Sequence, residues 1–448
     1  MAKKSDILIL GAGPAGMVTA STARKHYPDK SITVVKSIAS GCIPCGIPYM
    51  FSSLKNPDDN KLNTDPLKEK NIEVVVDEAV SIDPVKRIVS TSQSENYSYE
   101  KLVLAVGSDP IIPPIKGIEK EGVFPIFKDM DYLKSAVKKI KNKKKVLVIG
   151  GGFIGVEFAD EIADLKGVDV TLIEMLPNIL ANSFDEEFSM LAEERLRKRG
   201  VSIVKNTSVE ELIGNGSVEK ARLSNGNTLD VDGVILGIGA KPNIKLSVEA
   251  GLDKGKCDGI LVDEYMRTSN PDILAVGDCS CKRDFYTRKA TSVMLASTAT
   301  AEARIAGANL YKIKVVRENK GTIAIYSTYI NGLVLSSAGL TEKSAKKEGF
   351  EIVVGEAEGV DKHPASIPNA SKSRVKLVFS KQSGIILGGQ ISCGMSCAQL
   401  INLIGVAIQK RMSATELETL QLATHPYLTS SPTKYPVVLA AQNASDKM

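Results

Sequence analysis

Cys42 and Cys45 stand three residues apart in an uncharged loop near the N-terminus, residues 41–49. Two prolines restrict the backbone of this loop, and Gly46 allows it to turn tightly next to Cys45. A helix that began here would lower the pKa of the Cys45 thiol through its N-terminal dipole and would favour the reactive thiolate. The CxxC pattern by itself leaves three uses open, which are redox chemistry, metal binding, and a tight turn with buried, inert thiols.

A dinucleotide-binding pattern comes directly before this loop. Residues 6–10 are typical of a buried parallel strand, and residues 17–25 have a helical pattern. The GxGxxG motif between them can bring backbone amides and a helix N-terminus to a pyrophosphate. The next strand, residues 31–35, ends at Lys36. Dinucleotide-binding motifs normally have an acidic residue at this position, which bonds the ribose hydroxyls. Lys36 is predicted to bind a phosphate, to stack near adenine, or to lie at the surface while the backbone holds the ribose. The cofactor-binding residues predicted from the motif are Gly11, Gly13, Pro14, Ala15 and Gly16.

A second unit of the same kind begins at residue 145. It has strands at residues 146–149 and 170–173 and a helix at residues 156–165 between them. The second strand ends in Glu174, where a carboxylate hydrogen-bonds a ribose diol and repels a 2′-phosphate, so NADH is favoured over NADPH. Two units predict two nucleotides, one held tightly and one exchanging. The glycines predicted to bind the second nucleotide are Gly150, Gly152 and Gly155.

Two further buried strands end next to candidate nucleotide-binding residues. Residues 99–104 lead to Gly107, and the prolines that follow predict a rigid crossover out of the first domain. Residues 268–276 lead to Gly277 and Asp278. An aspartate at the carboxyl edge of a strand can point into the nucleotide crevice and bind a polyol chain. Alternatively, Asp278 caps a helix that begins near residue 291.

The last third of the chain has a different pattern, with strand-like runs at residues 322–329, 374–379 and 385–390 before a helix at 398–409. It contains no nucleotide motif, which indicates an α+β accessory or dimerisation domain. We therefore predict an α/β protein with two Rossmann-like nucleotide-binding domains and a C-terminal α+β domain. The expected first domain combines residues 1–116 and 246–319, the second is residues 117–245, and the third is residues 320–448.

Composition excludes several other classes of protein. The chain has 448 residues, of which 43% are hydrophobic and 24% are charged, as in globular proteins with a large core. Its formal net charge of +5 is small for this length, and no basic cluster alternates with aromatic residues, so no nucleic-acid partner is expected. No apolar run approaches the length of a membrane span.

The seven cysteines are an odd number for a fully paired extracellular framework, and we expect a cytoplasmic protein. The Cys279/Cys281 and Cys393/Cys397 pairs lack zinc spacing, so no metal site is predicted.

Together these motifs resemble those of the FAD- and pyridine-nucleotide-dependent disulfide oxidoreductases. The closer resemblance is to the single-cysteine branch, which holds coenzyme A-disulfide reductases, NADH:sulfur or persulfide reductases, and NADH oxidases. The matching motifs cover nearly the whole chain and are residues 11–16, 45–49, 102–107, 150–155 with Glu174, 275–278 and 387–390.

The resemblance implies a homodimer with FAD in the N-terminal domain and NADH in the inserted one. It makes Cys45 the redox thiol, assigns the FAD ribityl chain to Asp278, and places Glu157 near the nicotinamide and the flavin. The implied reaction is reduction of a small disulfide, persulfide or polysulfide through a mixed disulfide on Cys45. The alternatives are an NADH oxidase that uses oxygen and a flavin electron-transfer protein that serves a partner protein.

This chain departs from the family pattern at several positions. Lys36 replaces the usual acid, and Val106 replaces a threonine. His425 follows Thr424 where coenzyme A-disulfide reductases have a tyrosine; it is either a proton donor across a dimer interface or a structural residue. Cys42 is either the partner of Cys45 in an internal disulfide or a bystander. The bystander interpretation is favoured because the two-cysteine members of the family use a wider spacing. The other two histidines, which lack supporting context and are expected at the surface, are His26 and His363.

Overall fold

The computed structural model describes residues 2–448, apart from the side chain of Cys397, so the predicted Cys393/Cys397 pair lies partly outside the described residues. The first two main sheets form two Rossmann-like units of mainly parallel strands, and the third is an antiparallel C-terminal sheet. The predicted α/β fold class is confirmed. The domain limits given above stay predictions.

The N-terminal sheet has seven strands. Its central strand, Lys3–Leu10, runs parallel to Ile32–Lys36 on one side and to Asn96–Leu104 on the other. Asn96–Leu104 also pairs in parallel with Ile273–Ala275, which comes from much later in the chain. The carboxyl ends of these strands therefore meet at one edge of the sheet. The remaining strands of this sheet are Glu73–Val76, Ala79–Asp83 and Ile88–Thr91.

Two long helices pack on each other over this sheet, Pro14–His26 and Ala296–Ala308. Their facing sides are rich in alanines that are fully buried, and small side chains let the helix backbones approach closely. The second helix begins five residues later than predicted, and the non-helical residues 292–295 before it line the cavity described below. Shorter helices in the same part of the chain are Asp65–Lys68 and Lys245–Glu249.

The second sheet has five parallel strands in the order Ser202–Val204, Asp169–Ile173, Lys145–Ile149, Gly233–Leu236 and Val123–Pro125. Its helices are Met130–Ile140, Phe153–Ala163 and Glu186–Lys198. A small antiparallel sheet is attached to it, with strands Val209–Ile213, Lys220–Leu223 and Thr228–Asp230. Two short ribbons complete the strands of these units, Ser108–Pro110 with Ala240–Pro242 and Lys282–Arg283 with Ala290–Thr291.

The C-terminal sheet is antiparallel, with the strand order Tyr326–Ile330, Leu333–Gly339, Ile386–Cys393, Lys372–Ser380 and Ile352–Val360. The helices associated with it are Glu342–Lys347, Leu400–Lys410, Ala414–Glu418 and Pro436–Ser445. Strand 333–339, strand 352–360 and helix 436–445 were not predicted from the sequence. No helix within residues 2–448 has both the length and the apolar character needed to cross a bilayer.

Cys257 and Cys281 form a disulfide, whereas Cys279 is a free, buried thiol that contacts the carbonyl oxygens of Leu104 and Val276. The sequence did not single out this disulfide because 24 residues separate its two cysteines. The bond ties the loop around Cys257 to the segment that follows Asp278.

A buried ion cluster joins the second unit to the C-terminal sheet. The Lys376 side chain is 4% exposed, and its Nζ lies 3.1 Å from Asp185, 2.7 Å from Glu187 and 2.7 Å from Glu342. Gln390 closes the cluster, because its Nε2 donates to Asp185 Oδ2 (2.6 Å) and its Oε1 accepts from the Asp185 amide (2.7 Å). A single lysine thus forms ion pairs with carboxylates from two parts of the chain.

We expect Lys376→Met to destabilise the protein by about 3–5 kcal/mol, because it leaves three carboxylates without their buried cation. Urea denaturation followed by circular dichroism measures the loss. The matched control is Lys346→Met, which removes an exposed lysine that also pairs with Glu342 and should change stability by less than about 0.5 kcal/mol. Equal effects of the two substitutions would contradict a special role of the buried cluster.

Candidate active site

One cavity of about 1880 Å³ is lined by the 41–49 loop, both glycine motifs and the Gly277–Asp278 turn. It brings together most of the residues singled out in the sequence. The predicted site residues that line it are Cys42, Cys45, Gly11, Gly13, Pro14, Ala15, Lys36, Gly107, Gly150, Gly152, Glu157, Glu174, Gly277 and Asp278. Gly16, Gly155 and His425 do not line it. The two glycines lie inside the helices and pack against the carbonyls of Gly11 and Gly150.

The first glycine motif lines one side of the cavity with backbone atoms. Gly11 has φ +105°, and a Cβ at this position would collide with the carbonyl oxygen of Ala105. The helix Pro14–His26 begins directly after Gly13, so its first residues present the positive end of the helix to the cavity. A pyrophosphate fits this arrangement of close backbone and helix N-terminus.

The second glycine motif has a carboxylate fixed beside it. Glu174 follows the strand Asp169–Ile173 and is 8% exposed. Its Oε2 accepts from the Gly151 amide (2.6 Å), and its Oε1 accepts from the Leu176 amide (2.8 Å). The backbone therefore holds this acid at the mouth of the second nucleotide loop. Two dinucleotides fit the two glycine loops of this cavity.

The 41–49 loop is not the start of an α-helix, so the condition for a helix dipole at Cys45 is not met. Pro44–Gly46 and Pro48–Met50 are separate single turns of 3₁₀ helix. Pro48 has no N–H to donate to Pro44, so an α-helical ladder cannot run through the loop. The Ile47 amide bonds the Pro44 carbonyl instead (3.3 Å).

Cys45 is a free thiol exposed at the cavity. Desolvation within the cavity raises its pKa, and the carboxylates of Glu157 and Asp278 raise the pKa further, whereas the Lys128 cation acts in the opposite direction. Cys42 is also free but only 3% exposed, and burial raises its pKa to about 11. The two thiols therefore differ in access, and Cys45 is the one open to a substrate.

Glu157 lies on the helix Phe153–Ala163 and faces the cavity. Its Oε1 accepts from the Thr328 hydroxyl (2.9 Å) on the first strand of the C-terminal sheet. Burial raises the pKa of Glu157 to about 7; the Thr328 hydrogen bond opposes this increase, and the nearby Glu161 adds to it. Glu157 can therefore change its charge near neutral pH.

Asp278 is held by a small polar network. Its Oδ2 accepts from the Ser108 hydroxyl (2.7 Å), and Lys128 Nζ donates to Ser108 Oγ (2.8 Å) and lies 3.3 Å from Asp278. The alternative that Asp278 caps the following helix is wrong, because the N-cap of that helix is Leu295. Ser108, Lys128 and Thr328 were missed, since no local motif marks them and they reach the site only through the fold.

Two of the remaining predictions concern residues at the edge of the site or outside it. Lys36 lines the cavity, and its Nζ donates to the Ala39 carbonyl (2.9 Å). His425 is exposed outside the cavity of its own chain, and its Nδ1 accepts from the Tyr427 amide (3.3 Å). Its predicted proton-donor role stays a prediction.

The other two histidines, His26 and His363, are partly exposed and do not line the cavity. His363 is held in place because its ring Nδ1 lies 2.9 Å from the Thr429 carbonyl. At His26, burial lowers the pKa, and nearby lysines lower it further.

The chain is similar along nearly its whole length to known proteins that use nicotinamide nucleotides. Residues 5–303 match the family described as pyridine nucleotide-disulphide oxidoreductase, and residues 325–435 match the dimerisation domain of that family. The chain is 33% identical over 454 residues to an NADH oxidase of Methanocaldococcus jannaschii, covering 98% of this chain and 99% of the relative. It is 29% identical over 398 residues to an NAD(P)H coenzyme A polysulfide/persulfide reductase of Pyrococcus horikoshii, covering 87% of each. The solved structure of an NAD-dependent persulfide reductase from A. fulgidus has a TM-score of 0.91 at 32% identity, covering 99% of this chain and 83% of that one.

We expect Glu157→Gln to lower the pKa of Cys45, because the thiol ionises at a pH at which Glu157 is already charged and raises the thiol pKa. The rate of iodoacetamide alkylation of the oxidised-flavin, reduced-thiol protein as a function of pH measures the change. At neutral pH the variant should react severalfold faster than the wild type. Glu249→Gln, which removes an exposed carboxylate, is the control. An unchanged pH profile in Glu157→Gln would show that this carboxylate does not act on Cys45.

Proposed function

Since the chain belongs to the pyridine nucleotide-disulphide oxidoreductase family and is an FAD-dependent NAD(P)H oxidoreductase acting on oxygen or sulfur compounds, we propose a specific electron route. Electrons pass from NADH through FAD to Cys45, and Cys45 reduces a small disulfide, persulfide or polysulfide. The observation that carries this proposal is the free, exposed Cys45 thiol on a cavity shared by both nucleotide loops.

The residues around Cys45 support thiol chemistry in the following steps. The Cys45 thiolate attacks one sulfur of an S–S bond, so a new disulfide forms on Cys45 and the other sulfur leaves as a thiolate. FAD, when bound, would supply the two electrons received from NADH, and these would divide the mixed disulfide into the Cys45 thiolate and a second substrate thiolate, which leaves. Glu157, whose pKa is about 7, can give a proton to a leaving thiolate or receive one near neutral pH.

The arrangement of the two loops supports an assignment of the two nucleotides. We assign FAD to the first loop, with its ribityl chain at Asp278, and NADH to the second loop, with its adenine ribose at Glu174. The fixed carboxylate of Glu174 disfavours a 2′-phosphate at that point, which supports NADH over NADPH.

We also propose a cytoplasmic homodimer. The match to the family's dimerisation domain supports the homodimer. Three large apolar side chains of the C-terminal region are strongly exposed, and a second copy of the chain would cover them: Met395, Tyr427 and Leu428. His425, in the same loop as Tyr427, would then reach the site of the other copy. The cytoplasmic assignment rests on the free thiols of Cys42, Cys45, Cys279 and Cys393, although Cys257 and Cys281 form a disulfide.

Oxygen is the second candidate acceptor. The relative from Methanocaldococcus jannaschii, which matches this chain along nearly its whole length, is an NADH oxidase. In that reaction the Cys45 thiol, as a sulfenic acid, or the flavin itself would handle oxygen.

We expect anaerobic NADH titration to produce a long-wavelength absorbance band in the wild type that is absent in Cys45→Ser, because the band requires a thiolate against the flavin. Turnover with polysulfide should fall by at least about 100-fold in the same variant, since it has lost its nucleophile. Cys393→Ser, which changes a buried free thiol in the C-terminal sheet, is the control. Identical spectra for the wild type and Cys45→Ser would favour oxygen chemistry at the flavin alone.

We expect the wild type to use NADH in preference to NADPH. Glu174→Gln should reduce this preference by about tenfold, because it removes a repulsion between the carboxylate and the 2′-phosphate of NADPH that is worth on the order of 1–2 kcal/mol. The ratio of kcat/KM for the two nucleotides measures the effect. Glu210→Gln, which changes an exposed carboxylate of the same unit, should leave the ratio unchanged. A ratio that is also unchanged in Glu174→Gln would argue against a 2′-phosphate–carboxylate contact.

A further inference from the structure

A buried ion pair lies directly behind the turn that carries Asp278. The Lys282 side chain is 5% exposed and the Glu302 side chain is 1% exposed, and Lys282 Nζ lies 3.0 Å from Glu302 Oε2. Lys282 is in the short strand that follows the turn, whereas Glu302 is on the long helix Ala296–Ala308. The pair therefore connects the segment after Asp278 to the helix that covers the N-terminal sheet.

Both members of the pair bond the same residue, Gly277. The Gly277 amide donates to Glu302 Oε2 (2.9 Å), and the Gly277 carbonyl accepts from Lys282 Nζ (2.5 Å). Ser280 reinforces the contact, because its hydroxyl lies within hydrogen-bond distance of the Gly277 carbonyl (3.0 Å) and of Glu302 (3.2 Å). The peptide groups on the two sides of Gly277 are thus held by opposite charges.

Gly277 adopts a conformation that favours glycine, at a place with no room for a side chain. Its φ is +77°, and a Cβ at this position would lie 2.9 Å from the Ala15 Cβ of the first glycine motif. The turn is therefore pressed against the pyrophosphate loop, and the next residue is Asp278. A small rotation at Gly277 would move the Asp278 carboxylate away from the cavity.

Stability alone gives a weak reason for this pair. Removing two charges from water is expensive, and apolar side chains of similar volume often stabilise a protein as well or better. Apolar side chains could replace the packing of this pair but not its hydrogen bonds, because they cannot donate to the Gly277 carbonyl or accept from its amide. The charges therefore provide orientation that packing cannot.

We propose that Lys282 and Glu302 are a positioning pair that fixes the Gly277 peptides so that Asp278 stays directed at the ribityl chain of FAD. This inference rests on the proposed role of Asp278. It predicts that the pair acts on FAD binding and not only on folding.

The test is the double variant Lys282→Met/Glu302→Met, which removes both charges and keeps similar side-chain volumes. FAD release from the diluted holoenzyme, followed by flavin fluorescence, gives the dissociation constant, and thermal melting gives stability. We expect melting lowered by a few degrees, because the Gly277 amide loses its buried acceptor. We also expect FAD affinity weaker by about tenfold or more, and a shifted visible spectrum of the bound flavin. The matched control is Lys30→Met/Glu100→Met, which removes a more exposed ion pair of the same unit and should leave FAD affinity unchanged.

Asp278→Asn separates this inference from the function on which it rests. If Asp278→Asn binds FAD as tightly as the wild type, the proposed role of Asp278 fails. If Asp278→Asn weakens FAD binding but the double variant does not, only the positioning pair is overturned. If Asp278→Asn and the double variant each weaken FAD binding, the triple variant that combines them should lose less FAD affinity than the sum of the two losses, because both changes act through the Asp278 carboxylate. Strict additivity of the two losses would overturn the inference.

A conservative variant keeps the test valid if the double variant does not fold. Glu302→Asp retains the negative charge but withdraws the carboxylate from the Gly277 amide by one methylene. We expect it to weaken FAD binding and to shift the flavin spectrum in the same direction. Wild-type affinity and spectrum in Glu302→Asp would overturn the proposal.

Discussion

The site depends on one geometric constraint, which is that parallel strands end at a common edge of their sheet. Three strands of the N-terminal sheet, Lys3–Leu10, Asn96–Leu104 and Ile273–Ala275, pair side by side in parallel. The residues that follow them line the same cavity. The glycine motif, the Gly107 crossover and the Asp278 turn are therefore neighbours in space, although they are far apart in the chain.

The electrostatics around Cys45 differ from those that a helix dipole would produce. Its carboxylate neighbours, Glu157 and Asp278, oppose ionisation of the thiol, and Lys128 favours it. Because Glu157 takes up a proton near neutral pH, the field at the thiol changes with the state of a second residue. Thr328 connects that state to the C-terminal sheet through its hydrogen bond to Glu157. The reactivity of the loop is thus a property of three parts of the chain and not of the CxxC pattern.

Sequence reasoning identified the parts of the site that have local patterns. The two glycine motifs, Glu174 and Asp278 could be read because strand, turn and helix signals surround each of them. It did not find Lys128, Ser108 or Thr328, whose positions depend on contacts between distant segments. It left the structure of the 41–49 loop open between a helix start and a tight turn, although Pro48 is a local signal against a continuous helix. The Cys257–Cys281 disulfide and the buried Lys376 cluster were out of reach for the same reason, since each joins distant segments.

The pairing of Ile273–Ala275 with Asn96–Leu104 has a consequence for synthesis on the ribosome. When Leu102, Val103 and Leu104 emerge, the strand that covers their free edge has not yet been translated. The whole second unit comes out of the exit tunnel first and can fold as a body of its own. The nascent chain therefore carries an open, apolar strand edge during this interval, which is a template for mispairing. The site at the first glycine motif is therefore completed late, although that motif is among the first residues made.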